Sequence, residues 1–247
     1  MDLIKYHEKI GKVLARLAGQ QTLYEAAAQQ MADVVNADGL IHVLGTDMHT
    51  TSSVDELFFR FGALAAINPL YDPSMAVTHN AARALYVKEF GQCSSFLIEY
   101  YRNISKGDVM LLLDNNGRSC FSTQAAKKAA EMGVTVIAIT SEAHTMAMQE
   151  DSTVCAEPCV KLQTMSEVSL VIDNAVPPFD ALDGLTGLGW VSAIANSFIL
   201  NAIMITVHAE LTKRKKSIDF WQNFDTADGA ARNQKLIEQY INRIKHI

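Results

Sequence analysis

The sequence predicts an α/β protein built on a five-stranded parallel sheet with helices on both faces. Two observations carry the prediction. Short, nearly continuous apolar runs (GLIHVL at 39–44, GDVMLLL at 107–113, VTVIAIT at 134–140) alternate with stretches of helical periodicity. Strands that are apolar on both sides belong to a parallel sheet covered on both faces. Two of these runs also end in a polar, glycine-containing loop, GTDMHT (Gly45–Thr50) and DNNGRS (Asp114–Ser119). That is the usual strand-to-helix junction of such folds.

Asp2–Leu17 and Thr22–Asn36 repeat apolar residues three and four apart and read as helices. GLIHVL is the first strand and Ser52–Gly62 (SSVDELFFRFG) a helix. ALAAINPL supplies the second strand, ending at Pro69, and a helical stretch spans Cys93–Asn103. Asp108–Leu113 is the third strand, Ser119–Met132 a helix stopped by Gly133, Val134–Thr140 the β-branched fourth strand and Val168–Ile172 the fifth. Leu188–Lys213 and Asp228–Ile247 close the chain as helices. We expect one domain, with N-terminal helices over 1–36, an α/β core over 37–175 and C-terminal helices over 187–247.

In a doubly wound sheet ordered 2-1-3-4-5 (flavodoxin-like), the winding reverses between the first and third strands, and ligands bind outside the carboxyl ends there. The two loops come directly after those two strands and should flank one crevice. A helix N-terminus at such a place attracts anions. Each loop nevertheless carries an acid, Asp47 or Asp114, where an anion site prefers a hydroxyl.

Composition bounds the partners. The 247 residues are 49% apolar and carry a formal net charge of −6, which excludes the electrostatic footprint of nucleic-acid or anionic-membrane binding. The basic run Lys213–Lys216 ends an apolar helix and reads as a solvated last turn that complements the helix dipole. The first 17 residues are amphipathic and broken by charge, so they do not read as a leader. Trp190–Val207 is the most apolar stretch, but Ser192, Asn196, Ser197 and Asn201 recur on it, as in a buried or subunit-facing helix. Cys93, Cys120, Cys155 and Cys159 show no framework spacing, so we expect reduced thiols in a cytoplasm. The Cys155–Cys159 pair offers half a zinc site at most. No cofactor and no resident metal are expected.

The segments IHVLGT, DELFFRFGALAAINPL, DPSM, KGDVMLLL, NNGR, MGVTVIAITS, VIDNAVPP, SFILNAI and RNQKLIEQYINRIKHI are spread over nearly the whole chain. In that order they resemble the sugar isomerase (SIS) domain. More narrowly, they resemble small bacterial single-domain SIS proteins of the phosphosugar-binding, phosphoheptose-isomerase-like type. The resemblance implies a three-layer αβα sandwich, a homodimer or homotetramer, and a sugar or sugar-phosphate site built partly between subunits. SIS phosphate loops resemble Ser-x-Ser-Gly-x-Ser/Thr; here Gly117 and Ser119 match, while Asp114 and Asn116 stand where Ser is expected. In the first loop Gly45 and Thr46 match a Gly-Thr-Gly-His-Ser pattern, and Asp47, Met48 and His49 depart from it. Glu56 and Arg60 match a Glu and an Arg of the phosphoheptose isomerase branch, which implies proton transfer at Glu56.

Several residues are candidates for chemistry. Glu56 is either a carboxylate favoured by a helix N-terminus or the base that removes the proton next to a sugar carbonyl, through an enediol. Arg60, four residues on, either pairs with Glu56 or touches substrate. His49 and His79 are placed to assist ring opening, although Asn80 comes after His79 where the family tends to have Glu. His42, inside a strand, reads as a packing residue. Gly45, Thr46, Asp47, Asp114, Asn115, Asn116, Gly117, Arg118 and Ser119 form the expected ligand loops, with Arg118 the counter-charge to a phosphate. Asp47, His49 and Asp114 could together hold a divalent cation, although an N-cap or turn role for Asp114 is simpler. The residues fit a sugar-phosphate-binding protein and potential aldose–ketose isomerase. The rivals are a non-catalytic sugar sensor with a degenerate phosphate loop and an enzyme for a neutral or amino sugar, for which Asp114 would be an asset.

Overall fold

The computed structural model describes residues 3–87, 90–148, 160–182, 190–215 and 218–247. Five strands, β1 (Ile41–Gly45), β2 (Ile67–Pro69), β3 (Val109–Leu113), β4 (Thr135–Thr140) and β5 (Val168–Asp173), form one sheet in the order 2-1-3-4-5. All four pairings are parallel, with Gly45 opposite Leu113 and Leu113 opposite Ile139, so the carboxyl ends of β1, β3 and β4 are level.

Side-chain alternation along the strands divides the core into two layers. Val43, Leu111, Ile137 and Ile139 face one way, onto α1 (Leu3–Ala18), α2 (Gln21–Asn36) and α7 (Ser192–Lys213). Leu44, Met110, Leu112 and Ala138 face the other way, onto α4 (Gly91–Tyr100) and α5 (Cys120–Glu131). The protein is therefore an αβα sandwich. α7 is long and apolar enough to cross a membrane by length and composition. It buries Ala195, Ile199, Ile203 and Val207 in the first layer as a core helix. A third cluster seats Trp221 and the Leu236 and Tyr240 face of α8 (Ala227–Tyr240) beside the outer end of the sheet.

The structure departs from the sequence expectation at several places. Ser52–Gly62 is not an α-helix: a 3-10 turn over Thr51–Glu56 ends it, and Phe59 adopts a positive φ of 50° that no helix continues through. Phe59 makes that turn to pack on Trp221, ring centroids 4.5 Å apart. A helix not expected from the sequence, α3 (Val77–Val87), comes after Pro73–Met75. Asn80 is extended within it, and its side chain caps the main turns by accepting from Arg83 N–H at 3.0 Å. α6 (Glu142–Ala147) is a short helix after β4. The final helix stops at Tyr240 rather than reaching Ile247, and the last seven residues form turns. Cys155, Cys159, Lys216 and the first residues of the helix expected from Leu188 lie outside the described residues.

Candidate functional site

The two loops lie side by side at the carboxyl edge, and Asp47 clasps them. Its Oδ1 accepts from His49 N–H (2.7 Å) and Thr50 N–H (2.9 Å) of its own loop, while Oδ2 accepts from Asn115 N–H (3.0 Å) of the other. The first loop folds so tightly that a Cβ on Gly45 would overlap the Thr50 carbonyl. Thr46 secures it from below, its Oγ1 donating to Leu113 O at 3.0 Å.

Asp114 is fully buried. Its Oδ1 accepts from Asn116 N–H (3.2 Å), and its Oδ2 accepts from the hydroxyls of Ser119 (2.8 Å) and Ser122. The N–H of Gly117 also donates to this carboxylate. Ser119 is the N-cap of α5 and accepts from Ser122 N–H. Loop N–H groups and the two hydroxyls beside the start of α5 are thus turned onto the chain's own carboxylate. Burial pushes the Asp114 pKa up and the Asp47 charge pushes it further, while the hydrogen bonds from Ser122, Ser119 and Gly117 oppose the rise.

The rest of the second loop is packed as closely. Gly117 has φ +65°, and a Cβ there would sit 2.5 Å from Thr140 Oγ1 and 2.8 Å from Thr145 Oγ1. Arg118 is buried, and its guanidinium donates to the carbonyls of Met148 (2.8 Å) and Thr145 (3.4 Å) at the end of α6, although the sequence suggested it would face a phosphate. Asp180 repeats the Asp114 arrangement at α7: Oδ1 accepts from Val191 N–H and Ser192 N–H, both at 2.8 Å, and Oδ2 from the Ser192 hydroxyl.

Behind the clasp is an amide cluster that the sequence did not reveal. Asn174, just past β5, donates through Nδ2 to Asn115 Oδ1 (2.7 Å) and Asn196 Oδ1 (2.9 Å). Asn196 Nδ2 completes the ring to Asn115 Oδ1 at 3.2 Å. Among the described residues, Asn115 Nδ2 is buried without a hydrogen-bond partner, a donor left over in a place where unmet donors are costly. His144 is a second missed residue. Its Nδ1 is also buried and has no hydrogen-bond partner among the described residues, and its ring packs 5.9 Å from that of Phe179. Burial lowers its pKa, the charges of Asp114 and Asp180 oppose that, and His49 adds to the lowering. The net shift favours the neutral imidazole. The sequence signal for it was present, since Ser141 precedes it by three residues and its Oγ accepts from His144 N–H as an N-cap.

A family model described as the SIS domain matches residues 5–141, more than half of the chain. The chain belongs to the SIS-domain family. Among relatives, this SIS protein is 28% identical over 243 residues to the "UPF0309 protein" of Brucella ovis, covering 95% of this chain and 96% of the relative. It is 27% identical over 243 residues to the "UPF0309 protein" of Brucella anthropi, with the same coverage. Among solved structures, a phosphoheptose isomerase from Francisella tularensis superposes with a TM-score of 0.53 at 14% identity, over 84% of this chain and 96% of that one. That likeness is one of fold.

The remaining candidates of the SIS protein are scattered. Glu56 forms an ion pair with Arg60 and lies apart from the loops, in a cavity of about 320 Å³ shared with Asn201 and His208 of α7. His49 is exposed, its ring edge-on to Trp190 at 6.2 Å. His79 is exposed at the start of α3. Asp47, His49 and Asp114 do not make a cation site: both aspartates use both oxygens on hydrogen-bond donors, and no group of three metal-ligating side chains occurs among the described residues. His42 is buried at the opposite, amino edge, bonded through Nε2 to Asp108 Oδ2 (2.9 Å) and through Nδ1 to Asn68 Nδ2 (2.8 Å).

Proposed function

We propose that this SIS protein binds a carbohydrate derivative in the carboxyl-edge crevice and recognises it through hydroxyl or amino groups rather than through a phosphate seated on α5. The observation that supports this is Asp114: the carboxylate already takes the hydroxyls and N–H groups that would hold a phosphate there. The Asn115 Nδ2 donor and the His144 imidazole, whose pKa burial lowers, suit a sugar's oxygen atoms. A neutral or amino sugar fits best, and a sugar phosphate would place its phosphate away from α5. Loss of the phosphate anchor is also compatible with a sugar-sensing role without turnover. We place the protein in the cytoplasm, a reducing compartment that suits the Cys93 thiol.

A thermal-shift panel of matched sugars with and without phosphate tests the reading, because ligand binding to the native state raises its stability. Neutral and amino sugars should shift the transition more than their phosphates at equal concentration. A larger shift from the phosphates would refute it.

A second reading rests on the other cavity. Glu56, Arg60 and His208 face one space of sugar size, and the matched Glu carries an implied proton transfer. In that reading Glu56 removes the proton at C2 of an open-chain sugar and returns it at C1 through an enediol. Exchange of the C2 hydrogen with solvent deuterium, lost in Glu56→Gln, is the expected signature. Assembly into a homodimer or homotetramer would cover this cavity, since Phe61 and Ile205 beside it are 66% and 72% exposed.

A further inference from the structure

Away from both cavities already described, a groove of about 790 Å³ opens between the segment after β2, α3, α4 and residues 245–246. Its volume suits a ligand larger than a monosaccharide. Phe96 and Tyr100 stand one helical turn apart on α4, are 67% and 62% exposed, and both line the groove. Three basic side chains line the groove, Arg83, Lys245 and His246, against one carboxylate, Asp72.

The charges are available. Arg83 and Lys245 form no ion pair among the described residues, and the Lys245 ammonium rests 2.8 Å from the Tyr100 ring centroid as a cation–π contact. Asp72 uses Oδ1 to accept from Ser74 N–H at 2.7 Å, and Oδ2 accepts no hydrogen bond among the described residues. His246 is fixed by the Tyr101 hydroxyl at 2.5 Å. Burial and then the Lys245 charge hold its pKa below the ordinary histidine value, a bias that an anion in the groove would reverse.

We propose that this groove is a mononucleotide site, with the base stacked on Phe96 and Tyr100, the phosphate held by Arg83, Lys245 and His246, and a ribose hydroxyl donating to Asp72. Aromatic faces take any base through stacking, and a guanidinium grips phosphate oxygens in pairs. Lys245 leaves the Tyr100 face when the base arrives and swings to the phosphate. The site is independent of the sugar-binding reading and stands or falls without it.

Calorimetry on the full chain with AMP, adenosine and ribose 5-phosphate separates the parts. AMP should bind once per chain, and adenosine and ribose 5-phosphate should each bind at least tenfold more weakly. Phe96→Ala and Arg83→Ala, both at exposed positions, should each weaken AMP at least tenfold with an unchanged melting temperature. Four results would overturn the proposal. The first is no AMP binding at millimolar concentration. The second is AMP binding insensitive to both variants. In the third, ribose 5-phosphate binds as tightly as AMP and ignores Phe96→Ala, which marks a sugar-phosphate site elsewhere. A fall in oligomer mass on Phe96→Ala without AMP binding would assign the groove to a second copy of the chain and likewise overturn it.

Discussion

Replacing Asp114 by serine restores the residue type that SIS phosphate loops resemble, and the structure gives the size of the effect. In the wild type, the carboxylate holds the hydroxyls of Ser119 and Ser122 and the N–H groups of Asn116 and Gly117. A phosphate brought to the same donors would stand about 4 Å from that charge. At an effective dielectric near 20, the repulsion is about 4 kcal/mol, roughly a thousandfold in affinity. Relaxation and the proton that the raised pKa of Asp114 admits reduce this, so we expect at least a tenfold gain for Asp114→Ser. Asp47→Gly in addition should add less, because Asp47 faces the adjoining loop and its loss loosens the clasp on Asn115. Titration calorimetry with inorganic phosphate and a hexose 6-phosphate, with and without a divalent metal, reads the difference directly. Tight metal-free binding by the wild type that weakens in Asp114→Ser would refute the reasoning and make Asp114 a recognition residue.

The same contacts have other consequences. The two buried aspartates should shape the pH profile of stability in opposite senses. Asp114, raised in the fold, contributes stability that is full below the unfolded carboxylate pKa and lost as pH rises through its folded value. Asp108 is also pushed up by burial, but hydrogen bonds from His42, Leu40 N–H and Ser105 N–H carry its pKa below the ordinary value. Its contribution is therefore present above the unfolded pKa and lost as pH falls through the folded one. Urea unfolding across pH should show Asp114→Asn flattening the first dependence. Asp108→Ala should cost about 3 kcal/mol at pH 7 by stranding His42 and two backbone N–H groups. Gly117→Ala forces a side chain into positive φ and against Thr140 and Thr145, and should cost about 1–3 kcal/mol in the same assay. Light scattering at micromolar concentration should report a dimer or tetramer, and Ile205→Glu on the exposed face of α7 should reduce it to a monomer.

The sheet was legible because its information is local. Each strand is a short apolar run bounded by Gly, Asp or Pro, and alternation of runs with helical segments leaves few topologies for a parallel sheet. The stretch from Ser52 to Gly62 misled for the opposite reason. Leu57, Phe58 and Phe61 repeat at helical spacing, but Phe59 is drawn out of that register by Trp221, which is 162 residues further along the chain. A distant packing partner overrides a local period there. α3 was missed because Asn80 interrupts its pattern, and only the fold shows that Asn80 caps rather than breaks it.

The site divides along the same line. Its loops were readable, but the direction of each side chain within them was not. Asp114 could face a ligand or turn back on α5, and the sequence offers only the spacing Asp114, Ser119, Ser122 as a hint that two hydroxyls lie within reach of it. The Asn115–Asn174–Asn196 ring joins three elements separated by 59 and 22 residues, and no window on the sequence spans it. These two arrangements act together. With carboxylates bonded at the starts of α5 and α7, the buried polar atoms left without a partner at the carboxyl edge, among the described residues, include the Asn115 amide donor, His144 Nδ1 and Gln163 Oε1. In our reading, a crevice lined by such groups favours hydrogen-bonding geometry over charge. That is why the chain keeps the SIS frame while, in our reading, its ligand preference moves from the phosphate toward the sugar.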